Sequence, residues 1–256
     1  SPEREATQAG AELIGSDAVP AVTEVLLLAV ETLAGMGASG LSVDLTMPGL
    51  VAELAATYWP VDDCAAIAHL LDAKDVGGLR QAGGAAYEPL IAAAGPAEQA
   101  LERLRALNFP PGIAGQLQAI AALVAAVAPV VTVTLDPTER HSFTYQSWVG
   151  FSIYAAGARG EVGRGGSYAI RGPGETLERA VGFSLYVDAL VDQGFGVEQR
   201  PRLFLPLGTP VETGARLRHD GFATVAALDA SDTAQALRCT HAWDGTRAQP
   251  IDGDMD

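Results

Sequence analysis

Between positions 143 and 190 the chain sets out three strand-like runs in succession, and no other stretch restricts the fold as tightly. The first run is Phe-Thr-Tyr-Gln-Ser-Trp-Val-Gly-Phe-Ser-Ile-Tyr. In it Phe143, Tyr145, Val149, Phe151 and Ile153 fall on one face, with Thr144, Gln146 and Ser152 on the other. That two-residue period belongs to a strand with one buried face. Positions 163–170, opening on the glycine-dense Gly163-Arg-Gly-Gly-Ser-Tyr168, and positions 180–187 supply two further strands, and three strands in a row make a sheet.

The remainder is ordered around that sheet. A short strand is expected over 9–15, then a helix over about 20–36 capped by Ser16 or Asp17, with Val22, Val25, Leu26, Ala29, Val30 and Leu33 on one face. Residues 41–46 alternate as a strand, and Pro48 can open a helix running through Leu54. From about 60 to 128 alanine is dense and turn signals recur at Gly77-Gly78, Gly83-Gly84, Gly95-Pro96 and Pro110-Pro111-Gly112, which predicts a run of short helices. In the last of them Ile113, Leu117, Ile120, Val124 and Val127 fall at helical spacing, as core residues do. Residues 130–135 are β-branched and return to the sheet.

After Asp192 a second pattern begins. A strand at 202–207, a helix at 210–219, a strand at 222–228, a helix at 231–238 and a strand at 240–244 predict a small α/β unit with parallel strands. Residues 249–256 form a polar, acidic tail, expected to be loose. The domain division is therefore 1–196, with a helical insertion at about 60–128, and 197–256.

Charge and cysteine usage exclude several function classes. There are 31 acidic residues against 16 basic ones, a net charge of −15, with Lys74 the only lysine and the arginines scattered. Such a field repels phosphate backbones, so no nucleic-acid partner is expected. Cys64 and Cys239 stand far apart and in no metal-like spacing, which fits a reduced, cytoplasmic setting. No run approaches the roughly 18 apolar residues of a membrane span, so no membrane association is expected. His69 and Cys64 in the helical block have no ligand partners at useful spacing, and His219 is most simply a charge at a helix C-terminus. The glycines at 163–166 lack the lysine and following helix of a phosphate loop. No Ser/His/Asp arrangement stands out. No catalytic residue, metal or cofactor is expected.

Several segments, set side by side, resemble the histidyl-tRNA synthetase catalytic domain, a class II aminoacyl-tRNA synthetase fold. Arg4-Glu-Ala-Thr-Gln8 followed by Ala9-Gly-Ala-Glu12 resembles the end of that family's second signature motif. The run from Phe143 to Phe151 resembles the family's Leu-Asp-Tyr-Tyr-Thr-Gly strand, Gly163 to Tyr168 its Gly-Gly-Gly-Arg-Tyr segment, and Gly182 to Ala189 its third signature motif. The fold implied is α+β: a class II synthetase-like antiparallel sheet with a helical insertion, followed by the small α/β unit. The resemblance also implies a histidine-binding set of Gln8, Glu12, Arg140, Tyr145 and Tyr168. A carboxylate and an amide four residues apart on one side of a strand can together hold an ammonium or an imidazole N–H. Tyr145 also falls on the apolar face, where it can equally be core.

The departures from the family's pattern bear on function. The third-motif arginine, which in the family stacks on and neutralises ATP, is replaced by Ala189, next to Asp188. Alanine leaves a developing phosphate charge unanswered. The Arg-Gly that opens the tyrosine strand falls on His141-Ser142, with Arg140 displaced by one, and Trp148 stands at a family glycine. A synthetase-like domain without its ATP machinery resembles the regulatory subunit of ATP phosphoribosyltransferase. That resemblance implies a non-catalytic partner of the short catalytic subunit, activating it and sensing histidine as the end product of histidine biosynthesis, as a homodimer within a hetero-oligomer. The competing readings are an active histidyl-tRNA synthetase and a ligand-free scaffold in which Trp148 and His141 have closed the pocket. A segment preceding Ser1, carrying the first class II motif, is also expected.

Overall fold

A computed structural model describes residues 7–139, 146–171, 176–196 and 200–251. Two compact units divide the chain, Ser1–Gly196 and Val197–Asp256.

The first unit opens with strand β1 (Gln8–Ile14) and helix α1 (Val19–Gly35). The cap of α1 differs from the expectation. Ala18 is the capping residue and provides no side-chain bond, while the Ser16 hydroxyl accepts from the Ala18 N–H at 3.3 Å, before the helix begins. Proline in the first turn starts the helix instead, because its fixed φ is helical and its missing N–H is not needed there. Helix α1 buries Val22, Val25, Leu26, Ala29, Val30 and Leu33, the stripe the sequence predicts.

Strand β2 (Ser42–Thr46) follows, and then the helical block: α2 (Leu50–Thr57), α3 (Cys64–Asp72), α4 (Val76–Gln81) and α5 (Glu88–Ala93). The two middle helices are capped by aspartates. Asp63 accepts from the Ala66 N–H at 2.9 Å and Asp75 from the Gly78 N–H at 2.8 Å. Gly95-Pro96, expected as a turn, forms a two-residue strand β3 on the sheet's edge, where a proline costs no ladder bond. Helices α6 (Ala97–Ala106) and α7 (Pro111–Val127) end the block. Strand β4 (Thr132–Asp136), then β5 (Gln146–Tyr154), β6 (Gly163–Arg171) and β7 (Leu177–Tyr186), and helix α8 (Val187–Asp192) complete the unit.

The seven strands run in the order β1-β7-β6-β5-β2-β4-β3. Pairing is antiparallel except between β2 and β4, which are joined by the long helical crossover and run parallel. The alternation expected along β5 holds for Val149, Phe151 and Ile153, all fully buried, but the register with β6 shifts between Gln146 and Gly150. Phe143 and Tyr145 lie outside the described residues. Leu45, Phe151, Phe183 and Leu185 on one face of the sheet pack with α1 and α7 into a single core. Gly165 makes room on that face, since a side chain there would run into the Phe151 ring and the Gly182 carbonyl oxygen.

The second unit contains β8 (Arg202–Leu205), α9 (Val211–His219), β9 (Ala223–Ala226), β10 (His241–Trp243) and β11 (Ala248–Pro250). Its sheet order is β11-β10-β8-β9, with β8 parallel to both β9 and β10. Two expectations are corrected here. Residues 231–238 form turns and not a helix. Asp232 accepts from the N–H groups of Leu228 and Asp229, and Asp229 from the N–H and hydroxyl of Ser231, local bonds that compete with helical ones. The start of the expected loose tail is β11, paired antiparallel with β10. Leu203, Leu205, Leu217 and Trp243 form this unit's own core. Among the described residues of the chain, no helix is long and apolar enough to cross a membrane.

Candidate functional site

Residues paired across adjacent strands share a face, so the register defines what the side of the large sheet opposite the core displays. One cross-strand row on that side is Thr134, Asp44, Ser152, Arg164, Ser184 and Gly10, running from β4 to β1. The next row is Asp136, Thr46, Gly150, Gly166, Gly182 and Glu12. The core face is apolar while this one is polar, and three consecutive glycines, Gly150, Gly166 and Gly182, stand in its middle across β5, β6 and β7. The result is a glycine floor between polar walls.

The wall at β1 contains two of the expected ligand residues. Gln8 and Glu12 both point to the polar side and both are exposed. Tyr168 reaches across from β6 and donates its hydroxyl hydrogen bond to the Glu12 carboxylate. That carboxylate lies over Gly182, filling the space a side chain there would take. Gln8 stands opposite Tyr186 in the register. Gln8, Glu12 and Tyr168 are thus brought to one face, while Arg140 and Tyr145 lie outside the described residues.

Beside them stands a charged group that sequence reasoning missed. Glu161 accepts from the Ser152 hydroxyl at 2.8 Å, pairs with the Arg164 guanidinium and lies 3.5 Å from the Tyr186 hydroxyl. The Arg164 guanidinium sits 5.7 Å from the centre of the Tyr186 ring, and both members of the ion pair are only 20% exposed. Burial pushes the Tyr186 phenol above its ordinary pKa, against the pull of Arg164. Parity in the sequence could have found this arginine. Arg164 and Tyr168 are four residues apart on one strand and so face the same way, but the glycines around Arg164 draw attention to a tight strand entry.

The wall at β2 and β4 is acidic. Asp44 accepts from the Thr134 hydroxyl at 2.6 Å. Asp136 accepts from the N–H and hydroxyl of Thr138 and from the Glu139 N–H, and Lys74 bridges to its other oxygen at 2.5 Å. The Glu139 carboxyl is close enough to Asp44 for the two to share a proton when Glu139 is protonated. Burial first, then that shared proton and the nearby Asp44 and Asp136 charges, push the Glu139 carboxyl up to about 7. Glu139 also lines a cavity of about 330 Å³ whose other walls include Met47, Val51 and Cys64.

Three residues at which the sequence departs from the synthetase pattern have structural accounts of their own. Asp188 accepts from the Thr7 N–H at 2.6 Å and so ties the entry of β1 to α8. Ala189 lies within α8, directly after the strand that carries Gly182. The Trp148 indole donates to the Asp17 carbonyl at 2.9 Å and packs against the core cluster. Among the described residues no His, Cys, Asp and Glu group is arranged to hold a metal ion. Taken together, the described residues of the face offer carboxylates, amide and phenol groups and a guanidinium around the row of glycines. That inventory suits recognition of a small zwitterion by hydrogen bonds.

Comparison with known proteins gives the same fold. Residues 1–190 match the family model described as histidyl-tRNA synthetase. A protein of Rhodospirillum centenum named ATP phosphoribosyltransferase regulatory subunit is 40% identical over 261 residues, covering 98% of this chain and 67% of that protein. A crystal structure of an ATP phosphoribosyltransferase regulatory subunit/histidyl-tRNA synthetase from Bacillus halodurans superposes with a TM-score of 0.68 at 22% identity, covering 90% of this chain and 65% of that one. A chain of the ATP phosphoribosyl transferase (HisG:HisZ) complex of Thermotoga maritima superposes with a TM-score of 0.58 at 21% identity, covering 70% of this chain and 65% of that one. The chain thus spans about two thirds of the length of the Rhodospirillum centenum protein and slightly less of the two solved structures.

Proposed function

The chain belongs to the histidyl-tRNA synthetase family and, within it, to the ATP phosphoribosyltransferase regulatory subunits, and from that premise we propose that it activates a short catalytic subunit and reports the level of histidine to it. Kinship with the Rhodospirillum centenum regulatory subunit supports the regulatory role, and the HisG:HisZ complex of Thermotoga maritima supports a catalytic subunit as the partner. Histidine is the ligand we assign to the glycine floor, with Gln8, Glu12 and Tyr168 as its described contacts and Arg140 and Tyr145 as further members of the set. We also assign the chain a homodimeric arrangement inside a hetero-oligomer, and a place in the cytoplasm.

One observation carries the reading. The amino-acid side of the site is furnished, with Tyr168 holding the Glu12 carboxylate over Gly182, while the position that in synthetases answers ATP is Ala189. A site of this kind keeps its ligand and does no chemistry on it. The acidic composition, with no lysine besides Lys74, also argues against a tRNA substrate.

Reconstitution tests the proposal. Adding the purified chain to a short catalytic subunit raises phosphoribosyl transfer, histidine reverses the gain, and the chain alone catalyses no histidine-dependent pyrophosphate exchange with ATP. Failure of both the activation and the histidine effect would overturn it.

A further inference from the structure

The cavity of about 330 Å³ lies where the helical crossover leaves and rejoins the sheet. Met47, directly after β2, forms one side, and Thr138 and Glu139, just after β4, form the next. Val51 of α2 and Cys64 and Ala65 of α3 close it. Strands β2 and β4 run parallel, so the cavity sits outside the carboxyl ends of a parallel pair, where open sheets with helical crossovers place their ligands. Met47, Val51 and Thr138 are buried while Ala65 is exposed, which gives a closed base and an open rim. The volume suits a ligand of about ten non-hydrogen atoms, since a cavity of about 150 Å³ already holds benzene.

The polar edge of this cavity is short of positive charge. Asp44, Asp136 and Glu139 are three carboxylates, and among the described residues Lys74 is the cation that pairs with them, through Asp136. Tyr154 on β5 and Cys64 on α3 are the other described titratable groups here, and neither brings positive charge. Glu139 therefore keeps a proton up to about pH 7, through burial first and the neighbouring carboxylates after it. A cation in the cavity can take that proton's place. Thr46 adds an acceptor: it stands opposite Asp136 and directly before Met47, is fully buried, and its hydroxyl has no hydrogen-bond partner among the described residues.

The first turns of α2 and α3 also line the cavity, and a helix N-terminus favours anions with about half a unit of charge. Each of these ends already has its own carboxylate, Glu53 in the first turn of α2 and the Asp63 cap of α3. The whole charges of the three carboxylates decide the sign.

We propose that this cavity binds a small organic cation, an ammonium group on a compact apolar body, with Glu139 as its counter-ion. The site stands apart from the glycine row and does not depend on the histidine reading. Its walls come from both the crossover helices and the sheet, so an occupant ties one to the other.

Calorimetric titration of the full chain with benzylammonium, benzyl alcohol and benzoate tests this, because the three share the ring and differ in charge. At pH 8 benzylammonium should bind at least ten-fold more tightly than the alcohol, and benzoate more weakly than either. At pH 6 the Glu139 proton competes, so benzylammonium should lose about ten-fold while the alcohol is unchanged. Glu139→Gln should bring benzylammonium down to the level of the alcohol, and Ala65→Phe, at the exposed rim, should block both. Equal binding of ammonium and alcohol by the wild type, tighter binding of benzoate, or no binding at all overturns the proposal without any variant. A preference for the cation that survives Glu139→Gln, or binding untouched by Ala65→Phe, overturns it as well. None of these outcomes bears on histidine binding at the glycine row.

Discussion

The carboxylate of Glu12 occupies the space that a side chain on Gly182 would fill, two residues facing each other across β1 and β7. A β-carbon at position 182 would meet the end of a flexible side chain and not the backbone. Gly182→Ala should therefore leave stability within about 1 kcal/mol of wild type, the smaller end of overpacking costs. It should still displace Glu12 from Tyr168 and weaken histidine binding ten-fold or more. Thermal melts and calorimetry on the same preparation separate the two effects, and unchanged affinity would place the ligand away from this floor.

Gly10 supplies the opposite case. A β-carbon there would collide with the Phe183 carbonyl oxygen, which β7 cannot move aside. Gly10→Ala should cost about 1–3 kcal/mol in a denaturant melt, because the pairing of β1 with β7 itself must shift. A stability equal to that of Gly182→Ala would contradict the close approach of the two strands.

Removing the carboxylate directly gives the third test. Glu12→Ala should weaken histidine binding by about 1.5–3 kcal/mol, the range for a hydrogen bond to a charged group. Tyr168→Phe keeps the ring and removes only the hydroxyl that holds Glu12, so its cost should be smaller, about 0.5–1.5 kcal/mol. Both are read as changes in Kd by calorimetry. The reverse order of effects would mean that Tyr168, and not Glu12, meets the ligand.

Much of this arrangement is legible in the sequence because periodicity is local. The stripe on α1, the helical block, and the strands at β2, β6 and β7 all follow from spacing within a few residues. Gln8, Glu12 and Tyr168 were reached only through the family resemblance, since exposed polar residues on a strand look alike whether or not they bind anything. Arg164 and Glu161 escaped because the contacts that set them apart, with Ser152 and Tyr186, arise only from the register of β5, β6 and β7. Residues 231–238 misled for a physical reason. Their composition suits a helix, but the Asp229 and Asp232 carboxylates around their start take the N–H groups of Leu228, Asp229 and Ser231 for turns.

A core contact far from the floor provides an independent check on the fold. Tyr87 is fully buried and its hydroxyl donates to the Trp59 carbonyl at 2.6 Å, with the two rings edge to face at 5.2 Å. Tyr87→Phe keeps the ring contact and leaves the carbonyl without that donor, so it should cost about 1–3 kcal/mol. A neutral substitution in denaturant melts would show that water replaces the hydroxyl.

The acidic wall makes stability depend on pH in an unusual direction. Glu139 has a carboxyl raised to about 7 by burial and by Asp44 and Asp136, with Lys74 opposing, and Tyr154 on the neighbouring strand feels the Asp44 and Glu139 charges. In the unfolded chain the same group titrates at its ordinary value near 4.5. Between those two values the folded protein holds a proton that the unfolded chain releases, so the contribution of Glu139 to stability falls as pH rises from about 4.5 to about 7 and is constant beyond. Glu139 is only partly buried, and solvent screening reduces the full linkage figure to an expected loss of about 1 kcal/mol. Glu139→Gln mimics the protonated form at every pH, keeping a donor toward Asp44 without the charge. Its stability relative to wild type should thus be near zero at about pH 5 and favourable by about 1 kcal/mol at about pH 8. Other carboxylates give the whole protein its own pH profile, so the quantity to measure is the difference between the two proteins in urea melts across that range. Parallel profiles would mean that Asp44 and Glu139 do not share a proton, and that the acidic wall is open to water.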